Sequence, residues 1–97
     1  MNSGTLKSMH RKVADFCNIS TDCFLNAKGY STPHACDCRR VYYYVLNRPF
    51  DIDAKIIASM FGLKRGAINY IINIVRQGGY SRATKELLKH LIKELTE

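Results

Sequence analysis

A predicted helix over residues 64–77 carries polar side chains of the types that read DNA, on the side opposite its isoleucines. These side chains are Lys64, Arg65, Asn69, Asn73 and Arg76. Lys and Arg suit phosphates and guanine edges, and Asn can form two hydrogen bonds with an adenine edge. Any surface helix has a polar outer face, but Asn is a poor helix former in mid-helix. The pattern therefore favours DNA reading over an ordinary solvated face.

The residues leading into this helix fit the internal pattern of a helix-turn-helix counted from Ala54. Its fifth position, Ala58, is small where the second helix must cross, and its ninth, Gly62, suits a left-handed turn. The positions that must be apolar are Ile57, Phe61, Leu63, Ile68 and Ile71. The sequence therefore predicts a helix-turn-helix whose recognition helix covers about 64–77. Gly66 leaves the start of that helix bare, which allows close approach to a DNA groove.

Apolar spacing is helical along nearly the whole chain, which predicts an all-α fold of about six helices. The predicted helices cover about 6–17, 20–29, 33–48, 51–62, 64–77 and 81–97. Ser20 and Thr32 are expected as N-caps, with Pro33 at the first helical position. Ile56 is expected to face inward on the fourth helix. The apolar face of the last helix comprises Leu87, Leu88, Leu91, Ile92 and Leu95.

Length and composition predict a single domain over residues 1–97. The chain has 15 Lys and Arg against 8 Asp and Glu, a formal charge of +7, and 46% hydrophobic residues. No apolar run approaches the roughly 20 residues that span a bilayer, so no membrane partner is expected. The sequence contains no Gly-rich phosphate loop and no evident pair of catalytic carboxylates. We therefore expect a non-enzyme that uses no cofactor and no small-molecule substrate.

The four cysteines are spaced Cys-x5-Cys-x12-Cys-x-Cys. Structural zinc sites favour pairs of cysteines separated by two to four residues, so no metal is expected here. The N-terminal residues also lack the apolar stretch of a signal peptide. Reduced, buried or partly buried thiols in a cytoplasmic protein are therefore expected.

Three stretches of the chain resemble a known family: RKVADFCNIS, CRRVYYYVLNRPFDIDAKIIASMFG and KELLKHLIKEL. In this order, from about His10 to Leu95, they are similar to the C-terminal DNA-binding domain of the bacterial replication initiator DnaA. The resemblance implies a helix-turn-helix core of the Trp-repressor type and a location in the bacterial cytosol or nucleoid. It also places Arg39 on the family's minor-groove arginine and Tyr44 on its core tyrosine.

The chain differs from this family at the signature that follows the turn glycine. The family has Arg-Asp-His-Ser/Thr-Thr there, and this chain has the run 63–67, Leu-Lys-Arg-Gly-Ala. With a one-residue gap, Lys64 falls on the Asp and Arg65 on the His, while Gly66 and Ala67 fall on the hydroxyl residues. Tyr70 falls on a later His. The comparison implies a stand-alone relative, without the ATPase module, whose sequence specificity has been rewritten.

Double-stranded DNA is therefore the expected partner, with a role in replication or transcription control. Arg39 and Arg40 are expected at the minor groove and backbone, and Lys55 at a phosphate. The contacts expected from the recognition helix are Lys64, Arg65, Gly66, Ala67, Asn69, Tyr70 and Asn73. One alternative is a protein-interaction module that kept the fold without DNA binding. Another is an RNA or single-strand binder using the tyrosine run 42–44, of which Tyr43 is expected near the surface.

Overall fold

The computed structural model describes residues 3–48, 50–78, 86, 89–91 and 93, and every regular element among them is helical. The helices are α1 Ser3–Phe16, α2 Thr21–Leu25, α3 Pro33–Asn47, α4 Ala54–Phe61 and α5 Arg65–Arg76. The predicted all-α fold class is confirmed. Among these described residues, no helix has both the length and the apolarity needed to cross a membrane.

The predicted last helix falls only in part on described residues. Glu86, the stretch 89–91 and Lys93 are helical, and Leu91 is completely buried. The other apolar positions named for this helix lie outside the described residues: Leu87, Leu88, Ile92 and Leu95. Its expected start near residue 81 also lies outside them, as does Pro49 after the third helix.

Side-chain hydroxyls cap the N-termini of α2 and α3. The Ser20 hydroxyl accepts the Cys23 N–H at 3.3 Å and begins α2. The Thr32 hydroxyl accepts the Ala35 N–H at 3.1 Å and begins α3 with Pro33 in its first turn. Both predicted N-caps are confirmed, and each satisfies a backbone donor that has no partner inside its helix.

Two predicted helix boundaries are wrong. The fourth helix starts at Ala54 rather than at Asp51, because the Asp53 carboxylate caps it by accepting the Lys55 N–H at 2.7 Å. Asp51 instead has φ of +55°, which lies outside the right-handed α-helical region. The second helix ends at Leu25, well before Gly29.

The core is aromatic at its centre and is organised around Phe61, the last residue of α4. Ring centroids of Tyr43, Phe24 and Tyr42 lie 4.7, 5.8 and 6.1 Å from that of Phe61, and all three pairs meet edge to face. Tyr43 is only 2% exposed, whereas Tyr44 is half-buried. The expectation that Tyr43 lies near the surface is therefore wrong, because α4 covers that side of α3 with Phe61.

Gly62 ends α4 with φ of +67°, as the turn requires. A Cβ built at Gly62 meets no atom within 4 Å, so a substitution there is opposed by the backbone conformation alone. Gly62→Val is expected to lower the free energy of unfolding by more than about 1 kcal/mol. Gly66, which is helical and equally open, is the matched control, and Gly66→Ala is expected to raise stability by up to about 1 kcal/mol. Equal effects of the two substitutions in urea unfolding would contradict this role for Gly62.

A buried histidine joins α1 to the aromatic core. His10 is 6% exposed, its Nδ1 shares a hydrogen bond with the Tyr42 hydroxyl, and its ring meets Phe61 edge to face. Burial lowers the pKa of His10 below its ordinary 6.5 because the charged imidazolium loses its hydration.

This lowered pKa predicts an acid-sensitive fold. The unfolded chain takes up the His10 proton at a higher pH than the folded chain does. The contribution of neutral His10 to the free energy of unfolding is therefore fully present above pH 6.5 and is lost as the pH falls below that value. His10→Gln, which keeps a polar partner for Tyr42 but does not titrate, is expected to flatten this dependence. Exposed His90 provides the control: His90→Gln should leave the dependence intact in urea unfolding between about pH 7.5 and 5. An unchanged pH dependence in His10→Gln would contradict this assignment.

Candidate nucleic-acid interface

Packing of α5 against the rest of the domain fixes which of its faces is free. Ile68, Ile72 and Val75 are 0–5% exposed, and Ile71 is half-buried. These side chains repeat every three or four residues, so they form one stripe along the helix. Because this stripe is held in the core, the opposite side of α5 must face outward.

The inward side of α4 supplies the other half of this packing. Ile57, Ala58 and Phe61 are at most 3% exposed, and Leu63 after the turn is half-buried. These are residues that the helix-turn-helix pattern requires to be apolar or small. Ile56 is 50% exposed, so the expectation that it faces inward is wrong. A helix of only eight residues has room for one buried stripe, and Ile56 lies outside it.

The outward side of α5 holds most of the predicted DNA contacts. Its exposed residues include Arg65, Gly66, Ala67, Asn69, Tyr70 and Asn73. Tyr70 is 68% exposed, an unusual degree for a tyrosine in mid-helix. Within the described part of the chain, the side chains of Arg65, Asn69 and Asn73 form no hydrogen bond or ion pair. Their donors and acceptors are therefore available to another molecule.

Three other basic residues that were predicted to contact DNA are also exposed. Lys55 lies in the first turn of α4, and Lys64 immediately precedes α5. Arg40 lies on α3, where its guanidinium pairs with the Asp37 carboxylate at 3.5 Å. Lys64 therefore lies at the turn between α4 and α5, and Lys55 lies at the opposite end of α4. Arg40 belongs to another helix and already has an anionic partner.

Arg39 is not at the surface. It is 2% exposed, its Nε donates to the Phe24 carbonyl at 2.7 Å, and its Nη2 donates to the carbonyls of Cys23 at 2.7 Å and Asn26 at 3.3 Å. These oxygens lie at the C-terminal end of α2, where the helix dipole is negative. The carbonyls of Cys23 and Asn26 also accept the backbone N–H groups of Asn26 and Tyr30. The expectation that Arg39 enters the minor groove is therefore wrong. Its guanidinium holds α2 against α3.

A surface groove adjoins the start of α5. It has a volume of about 430 Å³ and is lined by Asn47, Asp51, Ile52, Asp53, Ala54, Arg65 and Asn69. The connection between α3 and α4 supplies the two carboxylates, and α5 supplies the guanidinium and one carboxamide. Asp51 and Asp53 fall in the first turn of the predicted fourth helix, 51–62, and no local sequence pattern predicts that they line one groove with Arg65.

The cysteines form no recognisable metal centre in the described residues. All four are free thiols, and Cys17 and Cys38 are buried. The hydrogen bond to Cys17, together with burial, raises the pKa of the Cys38 thiol, which keeps that sulfur protonated. His34 Nε2 lies 3.8 Å from Cys38 Sγ and 2.8 Å from the Cys17 carbonyl oxygen. Within the described ranges, no three His, Cys, Asp or Glu side chains are grouped to hold a metal ion.

The exposed side of α5 therefore combines a guanidinium, two carboxamides and a phenol. These groups form hydrogen bonds with base edges, phosphates or other polar partners. Their backbone positions are fixed, because the buried stripe on the same helix holds α5 in place. Comparison with protein-family models, with curated proteins and with solved structures finds no match to this chain.

Proposed function

We propose that this chain binds double-stranded DNA through a helix-turn-helix formed by α4 and α5, with α5 in the major groove. The observation that carries this proposal is the exposed face of α5, where Arg65, Asn69 and Asn73 have no partner within the described part of the chain. The formal charge of +7 supports binding to a polyanion, and the resemblance to the initiator's DNA-binding domain supports the same class of partner. Control of replication or of transcription is the corresponding biological role.

The order of side chains along α5 suits a major groove, which admits an α-helix. Gly66 and Ala67 near the start of the helix are small enough to let its backbone approach the bases. Arg65 and Asn69, one turn apart, are placed to read base edges, and Asn73 follows after another turn. An arginine suits guanine and an asparagine suits adenine, because each can form two hydrogen bonds with that base.

Lys55 is assigned a different role, as a contact to a phosphate. Phosphate contacts supply affinity without sequence information, and each one releases about one counterion from DNA. Lys55→Ala is therefore expected to weaken binding to all duplexes alike and to reduce the slope of log affinity against log salt by about 1. Lys12→Ala, which removes an exposed cation from α1, is the control and should leave the slope nearly unchanged. Equal slopes for Lys55→Ala and wild type in fluorescence anisotropy would contradict the assignment.

Selection of bound sequences from a random duplex pool tests the proposed function as a whole. We expect a single consensus to be enriched over successive rounds, because fixed donors and acceptors on a rigid helix discriminate between base edges. A pool that remains random after selection, with the protein shown to be folded, would contradict sequence-preferring DNA binding.

A protein-interaction module is the second candidate function. The observation that favours it is the exposure of two large apolar side chains, Ile56 at 50% and Tyr70 at 68%. Aromatic residues such as tyrosine are enriched in protein–protein interfaces. The single-strand alternative has less support, since Tyr42 and Tyr43 are buried and offer no surface for base stacking. Failure of the duplex selection would favour the interaction module.

A further inference from the structure

The groove beside α5 has a polar and charged lining that differs from an ordinary phosphate site. Two acidic residues, Asp51 and Asp53, line it together with one basic residue, Arg65. With two acidic groups against one basic group, its formal charge is negative, so a phosphate is disfavoured there. The groove instead suits a neutral group that offers hydrogen-bond donors beside acceptors. Its volume of about 430 Å³ lies within the range of sites that hold a bound group.

The major-groove edge of a G·C pair has this chemistry. Guanine presents two acceptors, N7 and O6, and cytosine presents one donor, its N4 amino group. Arg65 can donate to both guanine acceptors, and a carboxylate can accept from the cytosine amino group. An A·T pair keeps the N7 acceptor but has the adenine amino donor in place of guanine O6 and the thymine O4 acceptor in place of the cytosine amino group, so it fits the same pair of side chains less well.

Asp51 is the carboxylate of the groove that has no partner within the described residues. Asp53 already caps α4 by accepting the Lys55 N–H at 2.7 Å. Asp51 is exposed, and within the described residues its carboxylate takes part in no hydrogen bond or ion pair. The loop that carries it is tied down, because Ile52 N–H donates to the Leu46 carbonyl at 3.0 Å. In addition, the Asn47 side-chain amide donates to the Ile52 carbonyl at 2.9 Å.

We infer that this groove reads one G·C base pair, with Arg65 donating to guanine and Asp51 accepting from the cytosine amino group. The inference rests on the proposed function and adds a specificity-determining residue outside α5. Asp51, although acidic, would then contribute a favourable contact to the binding of a polyanion. Asp51 therefore strengthens discrimination while its charge weakens general affinity.

Two substitutions at Asp51 test the role of its side chain without changing the backbone conformation of the loop. Its φ is +55°, a conformation that Asn and Gly accept, so neither substitution should disturb the loop. Asp51→Asn removes the charge and keeps the size, and Asp51→Gly removes the side chain. Asp15→Asn, at an exposed carboxylate on α1, is the matched control for charge. Thermal unfolding of each variant establishes that the fold is kept.

The experiment compares sequences selected from a random duplex pool by wild type, Arg65→Ala, Asp51→Gly, Asp51→Asn and Asp15→Asn. For wild type we expect one G·C position to be preferred over A·T by at least about 5-fold. The same position should become nearly indifferent in both Arg65→Ala and Asp51→Gly, and weaker in Asp51→Asn. Asp15→Asn should keep the full preference. Affinity for random duplexes should rise in Asp51→Gly, because a negative charge has been removed.

Failure of this inference can be distinguished from failure of the proposed function. If wild type selects a consensus that both Asp51 variants reproduce, Asp51 reads no base and the inference is overturned while DNA binding stands. Loss of different positions in Asp51→Gly and Arg65→Ala would overturn it in the same way. If wild type selects no consensus at all, the proposed function fails and the inference fails with it.

Discussion

Arg39→Ala is expected to lower the free energy of unfolding by about 3–5 kcal/mol, the largest stability effect of any substitution considered for this chain. The guanidinium of Arg39 donates to three backbone carbonyls, those of Cys23, Phe24 and Asn26. Hydrogen bonds to a charged group contribute more than neutral ones, and the buried Phe24 carbonyl that loses the Arg39 donor cannot recover it from water. The substitution should therefore loosen α2 from α3.

Two comparison variants make this prediction specific. Arg40→Ala, next along the chain, removes the same charge from an exposed site and is expected to cost no more than about 0.5 kcal/mol. Arg39→Lys keeps the charge but lacks the planar guanidinium with its several N–H donors, so it should be more stable than Arg39→Ala and less stable than wild type. Urea unfolding monitored by circular dichroism gives the three values. Equal, small effects at positions 39 and 40 would show that the Arg39 hydrogen bonds do not stabilise the fold.

The combined substitution Arg65→Ala and Asn69→Ala is expected to have the largest effect on DNA recognition. Each side chain is assigned to a base edge, and a good contact of this kind contributes about 1–3 kcal/mol of discrimination. Because the two residues are one turn apart, their effects need not add. The preference for the selected duplex over a random one should fall by at least about 10-fold, while stability changes little since both side chains are exposed.

Anisotropy titrations with matched selected and random duplexes measure this change. Arg11→Ala, which removes an exposed cation from α1, serves as the control and should leave the preference intact. If the double variant lost affinity for both duplexes to the same extent, α5 would contribute charge rather than base reading. The interaction-module candidate would then be favoured.

Features that depend on neighbouring residues were predictable from the sequence. The N-caps at Ser20 and Thr32 each bond an N–H three residues ahead, so the pattern that predicts them also forms the contact. The αL turn at Gly62 is similar, because few other residues accept its positive φ. The isoleucine stripe of α5 follows from helical spacing alone.

Features that depend on distant residues were not predictable. Arg39 is buried because its partners, 13 to 16 residues earlier, end a very short helix that needs donors at its C-terminus. No local pattern distinguishes it from exposed Arg40. Tyr43 is buried because Phe61 packs on it from another helix. The groove brings Asp51 beside Arg65 only after α3, α4 and α5 have packed.

The central claim, duplex DNA binding through α5, is tested most directly by one salt titration. Fluorescence anisotropy would measure the affinity of the wild-type chain for a labelled duplex and for its separate single strands, over about 50–200 mM salt. We predict that the duplex binds more tightly than either strand and that its affinity falls steeply and linearly on logarithmic axes as salt rises. Equal affinity for duplex and single strands, or no binding to the duplex at the lowest salt, would contradict the account.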